Sequence, residues 1–116
     1  MKNILVFMTT ADRSEAEKIV KKLLDIHLIA CANIIGPIES HFWWQNKTEE
    51  ADEFLILMKS NQKLFAKLSK TIKEMHSYDV PEILAIPIAD GFQPYLEWLN
   101  ASLADSGESK EWPRNQ

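Results

Sequence analysis

The chain has 116 residues, with 17 acidic and 13 basic side chains and a formal net charge of -4. A chain of this size buries about two-thirds of its unfolded surface, which supports one compact domain and excludes a second. A hydrophobic share of 46% excludes a mainly disordered chain. The acidic balance argues against nucleic acid as a partner, and no apolar run approaches the ~20 residues of a membrane span.

The cysteine content and the N-terminal residues bear on the cellular compartment. Cys31 is the single cysteine, so no disulfide can form within the chain. This fits a reducing compartment. The apolar run at residues 4–8 is much shorter than the hydrophobic region of a secretion signal, and polar residues follow it at once. We therefore expect a cytoplasmic protein without a membrane partner.

The first part of the chain predicts a strand, a helix and a second strand. Residues 4–8 are continuously apolar, as in a strand that is buried on both faces. Asp12 and Glu15 have the spacing of a capping box at a helix N-terminus. Behind them, apolar residues recur at helical spacing through residues 13–25. Residues 28–35 then predict the second strand.

A long hairpin is predicted next. Gly36-Pro37 interrupts the second strand, because proline has no N–H to donate and glycine favours a bulge. Strand character resumes over residues 38–44. Residues 45–47 predict a turn in which Asn46 tolerates a positive φ. Residues 53–59 carry an apolar core and predict the third strand.

The remaining residues predict a helix, a strand and a short helix. Ser60-Asn61 can cap the second helix. Residues 77–81 predict a loop and residues 83–88 the fourth strand. A third helix then begins near Pro94, and residues 104–116 turn polar. We expect these last residues to form a loosely ordered tail outside the domain.

The predicted order of elements indicates the fold class. It is β-α-β-β-α-β with an extra C-terminal helix, which predicts an α+β ferredoxin-like fold with an antiparallel sheet across residues 1–103. An RNA-recognition module shares this order, but its central strand carries glycine and exposed aromatic rings. Residues 53–58 contain no glycine and no alternating aromatic residues. We therefore expect no RNA binding.

The length of the hairpin predicts self-association. Residues 30–44 would span about 50 Å as one strand, whereas a domain of this size has a diameter of about 35 Å. Phe42, Trp43 and Trp44 are consecutive, so their side chains point to alternate faces. The alternative is that these aromatic residues cap their own sheet. We expect instead that they lie in an interface between copies of the chain.

The candidate chemistry lies in the segment that joins the second helix to the fourth strand. Met75 and His76 offer a thioether and an imidazole, and antiparallel wrapping would bring Met8 close to them. Sulfur ligands favour Cu(I), whereas imidazole also suits Cu(II) and Zn(II). The alternatives are that both methionines fill the core and that His76 is structural. Glu82 enters a strand directly after Pro81, where a carboxylate has little structural value.

Motifs for other chemistries are missing. The three glycines lie too far apart for a phosphate-binding loop or a dinucleotide fingerprint. Ser77 lacks the flanking glycines of a nucleophile elbow. Cys31 lies in an apolar strand, which favours an inert thiol over a metal ligand. We therefore expect a protein without enzymatic activity and without a required cofactor.

Four segments, in order, resemble the CutA family, the divalent-cation tolerance proteins. They are LIACANI at residues 28–34, Trp43-Trp44 with Lys47, HSYDVPE at residues 76–82, and YLEWL at residues 95–99. The resemblance covers residues 4–103. It implies a ferredoxin-like subunit, a homotrimer, a cytoplasmic location and a link to copper or other divalent cations.

The resemblance also implies candidate sites. Family members that bind copper use a cysteine at the end of the first strand and two adjacent histidines at the end of the second helix. These positions fall on Met8, Met75 and His76 here, so only one imidazole is retained. A set of two thioethers and one imidazole suits Cu(I) better than Cu(II). The resemblance therefore implies a weak metal site.

A trimer would place clefts between its subunits. The alternative function is a regulatory module that binds a small ligand in these clefts. The candidate cleft residues are Tyr78, Glu82, Trp44 and Lys47.

Overall fold

The computed structural model describes residues 2–104. Its elements in this range are β1 (Asn3–Thr10), α1 (Arg13–Asp25), β2 (Cys31–Trp44), β3 (Lys47–Asn61), α2 (Phe65–Met75), β4 (Ile83–Pro87) and α3 (Gln93–Ala101). A short 3-10 turn at Gln62–Leu64 precedes α2. Trp112 and all of the predicted tail except Ala104 lie outside the described residues.

The four strands form one sheet in the order β2-β3-β1-β4, and every neighbouring pair is antiparallel. β1 is therefore paired on both sides: Met8 lies opposite Ile56 of β3 and Ile83 of β4. This topology, with α1 between β1 and β2 and α2 between β3 and β4, confirms the predicted ferredoxin-like α+β fold.

The core lies between one face of the sheet and the helices α1 and α2. Side chains alternate along a strand, so every second residue of β1 and β3 faces the helices. The fully buried side chains of this layer include Val6, Met8, Ile19, Leu23, Ile56, Met58, Leu68 and Ile72. A smaller cluster forms where Leu99 of α3 and Leu103 pack against Ala30.

The start of α1 is capped as the sequence predicts, but only one of the two hydrogen bonds of a capping box forms. The Asp12 carboxylate accepts the N–H of Glu15 at 2.8 Å. The Glu15 carboxylate does not return to Asp12; it accepts the N–H of Ser77 at 2.7 Å. Asp12 alone therefore caps the helix, and Glu15 is free to hold a distant loop.

The turn after α1 shortens the predicted second strand. His27 has a φ of 59°, and the N–H of Leu28 donates to the carbonyl of Leu23. Leu28 and Ile29 are buried in the core, but this bond ties the chain to the helix end. β2 therefore begins at Cys31, three residues later than predicted.

The hairpin is longer than predicted because β3 begins at Lys47. Trp44 pairs with Lys47, and the two turn residues Gln45 and Asn46 have φ values of 50° and 66°. Positive φ at both positions is typical of a type I′ turn. The register shifts between Ile35 and Ile38, which confirms the predicted irregularity. The molecule extends 48 Å along its long axis and only 27 and 22 Å across.

No helix within residues 2–104 is both long enough and apolar enough to cross a lipid bilayer.

We expect the substitution Gly36→Ala to destabilise the domain. A Cβ at this position would lie 2.5 Å from Cδ2 and 2.9 Å from Cγ of the Phe54 ring. Forcing an extra carbon into packed space costs about 1–3 kcal/mol. Urea unfolding should show this loss, and the double variant with Phe54→Leu should recover part of the loss that Gly36→Ala causes. An unchanged midpoint for Gly36→Ala would contradict the close packing of this strand on the ring.

Candidate metal and ligand site

His76 directly follows α2 as its C-cap residue, and its imidazole is fully buried. Its Nε2 lies 2.7 Å from the carbonyl oxygen of Thr9 at the end of β1. Its Nδ1 accepts the backbone N–H of Tyr78 at 3.0 Å. This hydrogen-bond network assigns the proton to Nε2, which donates to Thr9. Both ring nitrogens are therefore engaged, and the imidazole fastens the end of α2 to β1.

Glu15 of α1 also binds this loop through its carboxylate. Its Oε2 lies 3.5 Å from His76 Nδ1 and accepts the Ser77 N–H, while its Oε1 accepts the Ser77 hydroxyl at 3.1 Å. The serine hydroxyl thus donates to the carboxylate and not to the imidazole. This order of contacts differs from a catalytic triad, in which the imidazole is placed to take the serine proton.

Tyr78 makes a second polar contact of this region, which is partly buried. Its hydroxyl donates to Oε2 of Glu53 at 2.7 Å, and its ring centroid lies 4.8 Å from that of His76. Glu53 is only 8% exposed. Burial, and then the hydrogen bond to Glu53, raise the pKa of Tyr78 to about 12. The hydroxyl therefore keeps its proton and remains a donor at neutral pH.

The two candidate methionines occupy different environments. Met8 is fully buried in the core beneath the helices. Met75 is exposed at the end of α2, beside an open pocket that is also lined by Asp12, Glu15 and Ser77. The topology brings the segments of these residues to one end of the sheet, since His76 contacts the residue after Met8. The thioether of Met8 faces the core in this arrangement.

The four candidate cleft residues fall into two separate pairs within one chain. Tyr78 lies at the loop, and the exposed Glu82 directly precedes β4. Trp44 and Lys47 face each other across the end of the hairpin. Glu53, which binds the Tyr78 hydroxyl, is six residues from Lys47 along β3, or about 20 Å at the usual rise. A cleft with all four residues thus requires a second chain.

Two carboxylates of this region, Glu15 and Glu53, were not among the predicted site residues. The spacing of Asp12 and Glu15 alone favours a capping box, which is a local interaction. The sequence position of Glu53 could have indicated a buried carboxylate. Glu53 is an acidic residue directly before the apolar run of a strand that is predicted to be buried. Charged residues at such positions are rarely buried without a partner.

Tyr78→Phe should destabilise the chain and change its pH dependence. At neutral pH the change leaves the buried Glu53 carboxylate without a donor, which costs about 1–3 kcal/mol of unfolding free energy. The folded-state pKa of Tyr78 lies above its ordinary value of 10.0, at about 12. Its contribution is therefore complete below pH about 10 and is lost as the pH rises to about 12. Urea unfolding across this range should show a steeper decline for the wild type than for Tyr78→Phe.

Tyr95→Phe is the matched control for the loss at neutral pH. Burial also raises the pKa of Tyr95 to about 12, so this variant does not control for the pH dependence. The Tyr95 hydroxyl contacts the Cys31 thiol at 3.5 Å, a neutral and weaker partner than a carboxylate. We expect a smaller loss at neutral pH. Equal losses for both variants would show that the Glu53 contact adds nothing.

Comparison with known proteins relates the chain to one protein family. Residues 4–102 match the family model described as CutA1 divalent ion tolerance protein. The divalent-cation tolerance protein CutA of Pyrococcus horikoshii is 43% identical over 96 residues, which are 83% of this chain and 93% of that protein. The crystal structure of CutA1 from Oryza sativa superposes with a TM-score of 0.88 at 35% identity, covering 91% of this chain and 97% of that one.

A third relative is described as periplasmic. The structure of the periplasmic divalent cation tolerance protein CutA from Archaeoglobus fulgidus matches with a TM-score of 0.84 at 41% identity. It covers 86% of this chain and 97% of that one. On the family match and these identities, this chain belongs to the CutA1 divalent ion tolerance protein family.

Proposed function

We propose that this protein acts in copper tolerance as a homotrimer without enzymatic activity. Divalent-cation tolerance is the name of its family, and the trimer and the link to copper are our inferences. The observation that carries the proposal is an apolar band on the sheet face opposite α1 and α2. Helix α3 reaches this face at Asn3 and Cys31, but Leu84 and Ile86 remain exposed. In a single chain this band would lie in water, which favours burial against further copies.

The open face of the sheet forms a continuous apolar band. Phe7 of β1 lies between Leu57 of β3 and Leu84 of β4 in the registers of the two pairs. Leu84 is 58% exposed and Ile86 is 48% exposed. Scattered apolar residues on a surface are normal, but a contiguous patch marks an interaction site. Subunits that pack sheet against sheet would remove this area from water.

The end of the hairpin supports the same proposal. Trp43 is 74% exposed and Trp44 is 56% exposed, and Phe42 beside them is also exposed. Large aromatic side chains contribute much of the energy of protein interfaces. We propose that Phe42, Trp43 and Trp44 contact a neighbouring subunit, since the hairpin extends away from its own helices.

We propose a weak Cu(I) site at Met8, Met75 and His76. The donor chemistry of two thioethers and one imidazole suits this soft ion. The fit is limited by the contacts of the folded chain. A metal at either ring nitrogen of His76 would replace a hydrogen bond to Thr9 or Tyr78, and Met8 would have to leave the core. These costs support low affinity, with copper as cargo and not as a resident cofactor.

The contacts of the loop support a protein without catalysis. The Ser77 hydroxyl, the most evident nucleophile, donates to the Glu15 carboxylate. The His76 imidazole, the most evident base, is buried and bonded at both nitrogens. Neither group is placed to activate the other. We propose a cytoplasmic location on the single Cys31, while the relative from Archaeoglobus fulgidus is described as periplasmic.

The alternative is a regulatory module that binds a small ligand between subunits. It is favoured by the separation of the two residue pairs in one chain. Tyr78 and Glu82 of one subunit and Trp44 and Lys47 of another would combine hydrogen bonding, charge and an aromatic surface. Such clefts suit ligands with both apolar and polar parts.

Light scattering should give a mass three times that of one chain at micromolar concentration. The variant Ile86→Lys places a charge on the open face and should shift the mass toward that of a monomer. Leu24→Lys is the matched control, because Leu24 is an exposed apolar residue of α1 and its charge should leave the trimer intact. Circular dichroism checks that both variants fold. A monomeric wild type would contradict the proposal.

Calorimetric titration with Cu(I) should show binding that depends on the loop. Met75→Leu keeps the size of an exposed side chain and removes one thioether, so we expect the affinity for Cu(I) to fall about tenfold. His76→Ala should abolish the binding. Met58→Leu, a change in the core, is the control. Absence of heat with Cu(I), together with saturable binding of a metabolite, would favour the regulatory alternative instead.

A further inference from the structure

A second group of metal-binding side chains lies on the hairpin, away from His76. Glu39 and His41 are two residues apart on β2, so their side chains share one face. The register places Glu50 opposite His41 and Asp52 opposite Glu39. We call Glu39, His41 and Glu50 the hairpin triad.

The donor atoms of the hairpin triad are close together. One ligand atom from each residue lies within 4.8 Å of the others. Oε2 of Glu39 is 2.5 Å from Nε2 of His41, and Oε2 of Glu50 is 3.6 Å from Nδ1. Bonds of about 2.1 Å to one ion bring its ligands within about 4.2 Å of each other. The donor atoms of the hairpin triad lie within 4.8 Å of one another, slightly outside that limit, and all three side chains are exposed.

The charges on this face are unbalanced. Glu39 and Asp52 are directly opposed across the strands, and like charges in this position destabilise a sheet. Three carboxylates surround one imidazole, which supplies at most one positive charge. Among residues 2–104, no lysine or arginine forms an ion pair with Glu39, Glu50 or Asp52.

The remaining groups near this face do not correct the imbalance. Trp43 and its partner Thr48 continue the face toward the turn and carry no charge. Arg13, from α1, lies over the ring of Phe54 at 5.1 Å. A hairpin that served packing alone would gain from opposite charges across its strands. A bound cation would remove the repulsion that this arrangement carries.

We propose that the hairpin triad is a binding site for a divalent first-row metal ion, Zn(II) or Cu(II), with Asp52 adding charge nearby. One imidazole and two carboxylates form a mixed nitrogen and oxygen set, which suits these ions better than Ca²⁺, Mg²⁺ or Cu(I). Paired strands hold such donors more rigidly than a loop does. The site does not depend on copper at His76.

Zn(II) titration of the full chain by calorimetry tests the site. We expect one ion per chain in the wild type. His41→Ala, Glu39→Gln and Glu50→Gln should each weaken the affinity for Zn(II) by at least about tenfold, because each removes a ligand. All three side chains are exposed, so the fold should persist, and circular dichroism verifies it. Wild-type affinity in His41→Ala would overturn the proposal.

Two control variants test whether the ion binds at the hairpin triad itself. Glu49→Gln removes the same charge from the opposite face of β3, where Glu49 pairs with Phe42, and should leave the affinity unchanged. An equal loss in this variant would mean that net charge alone attracts the ion, which contradicts a site. His76→Ala should also retain Zn(II) binding; loss of binding there would assign the ion to the loop.

The electron paramagnetic resonance spectrum of bound Cu(II) gives a second readout. Coordination by His41 should produce nitrogen hyperfine coupling in the wild type and in His76→Ala. The coupling should disappear in His41→Ala. Nitrogen coupling that persists in His41→Ala would overturn the assignment of the ligand.

Discussion

The antiparallel pairing of β1 on both of its edges is the constraint on which the structure depends. It places Met8 between β3 and β4, with Thr9 near the end of the strand. The carbonyl of Thr9 is the partner of the buried imidazole of His76. The same pairing lines up Phe7 with apolar neighbours on the open face. The loop chemistry and the surface for assembly therefore both follow from one strand.

Two polar clusters of the chain differ in how well their hydrogen bonds and charges are balanced. Around His76, each ring nitrogen has a partner and Glu15 holds the loop, so the cluster is satisfied and contributes to stability. On the hairpin, three carboxylates share a face with one imidazole, and the site is exposed. A satisfied buried cluster resists a new ligand, whereas an exposed cluster with excess charge gains from one. This contrast is the physical basis for placing a divalent ion on the hairpin.

Much of the fold could be predicted because its signals are local. Helical spacing and the Asp12 cap predicted the bounds of α1, and the element order predicted the ferredoxin-like topology. The errors lie where a particular hydrogen bond or strand pairing sets the boundary of an element. The start of β2 depends on a bond between Leu28 and Leu23. The extra length of β3 depends on pairing with β2, since the polar residues from Lys47 onward carry no apolar strand signal.

By itself the sequence determined the fold class and the family motifs, because these follow from periodicity and residue type, and it indicated His76 and Tyr78 as candidate site residues. Only the tertiary structure decided what those side chains contact. Glu15 and Glu53 lie 62 and 25 residues from the groups they bind, and no local pattern encodes such distances. The hairpin triad likewise exists only through the register that sets Glu50 opposite His41. Register is a property of paired strands, so it becomes visible when the chain has folded.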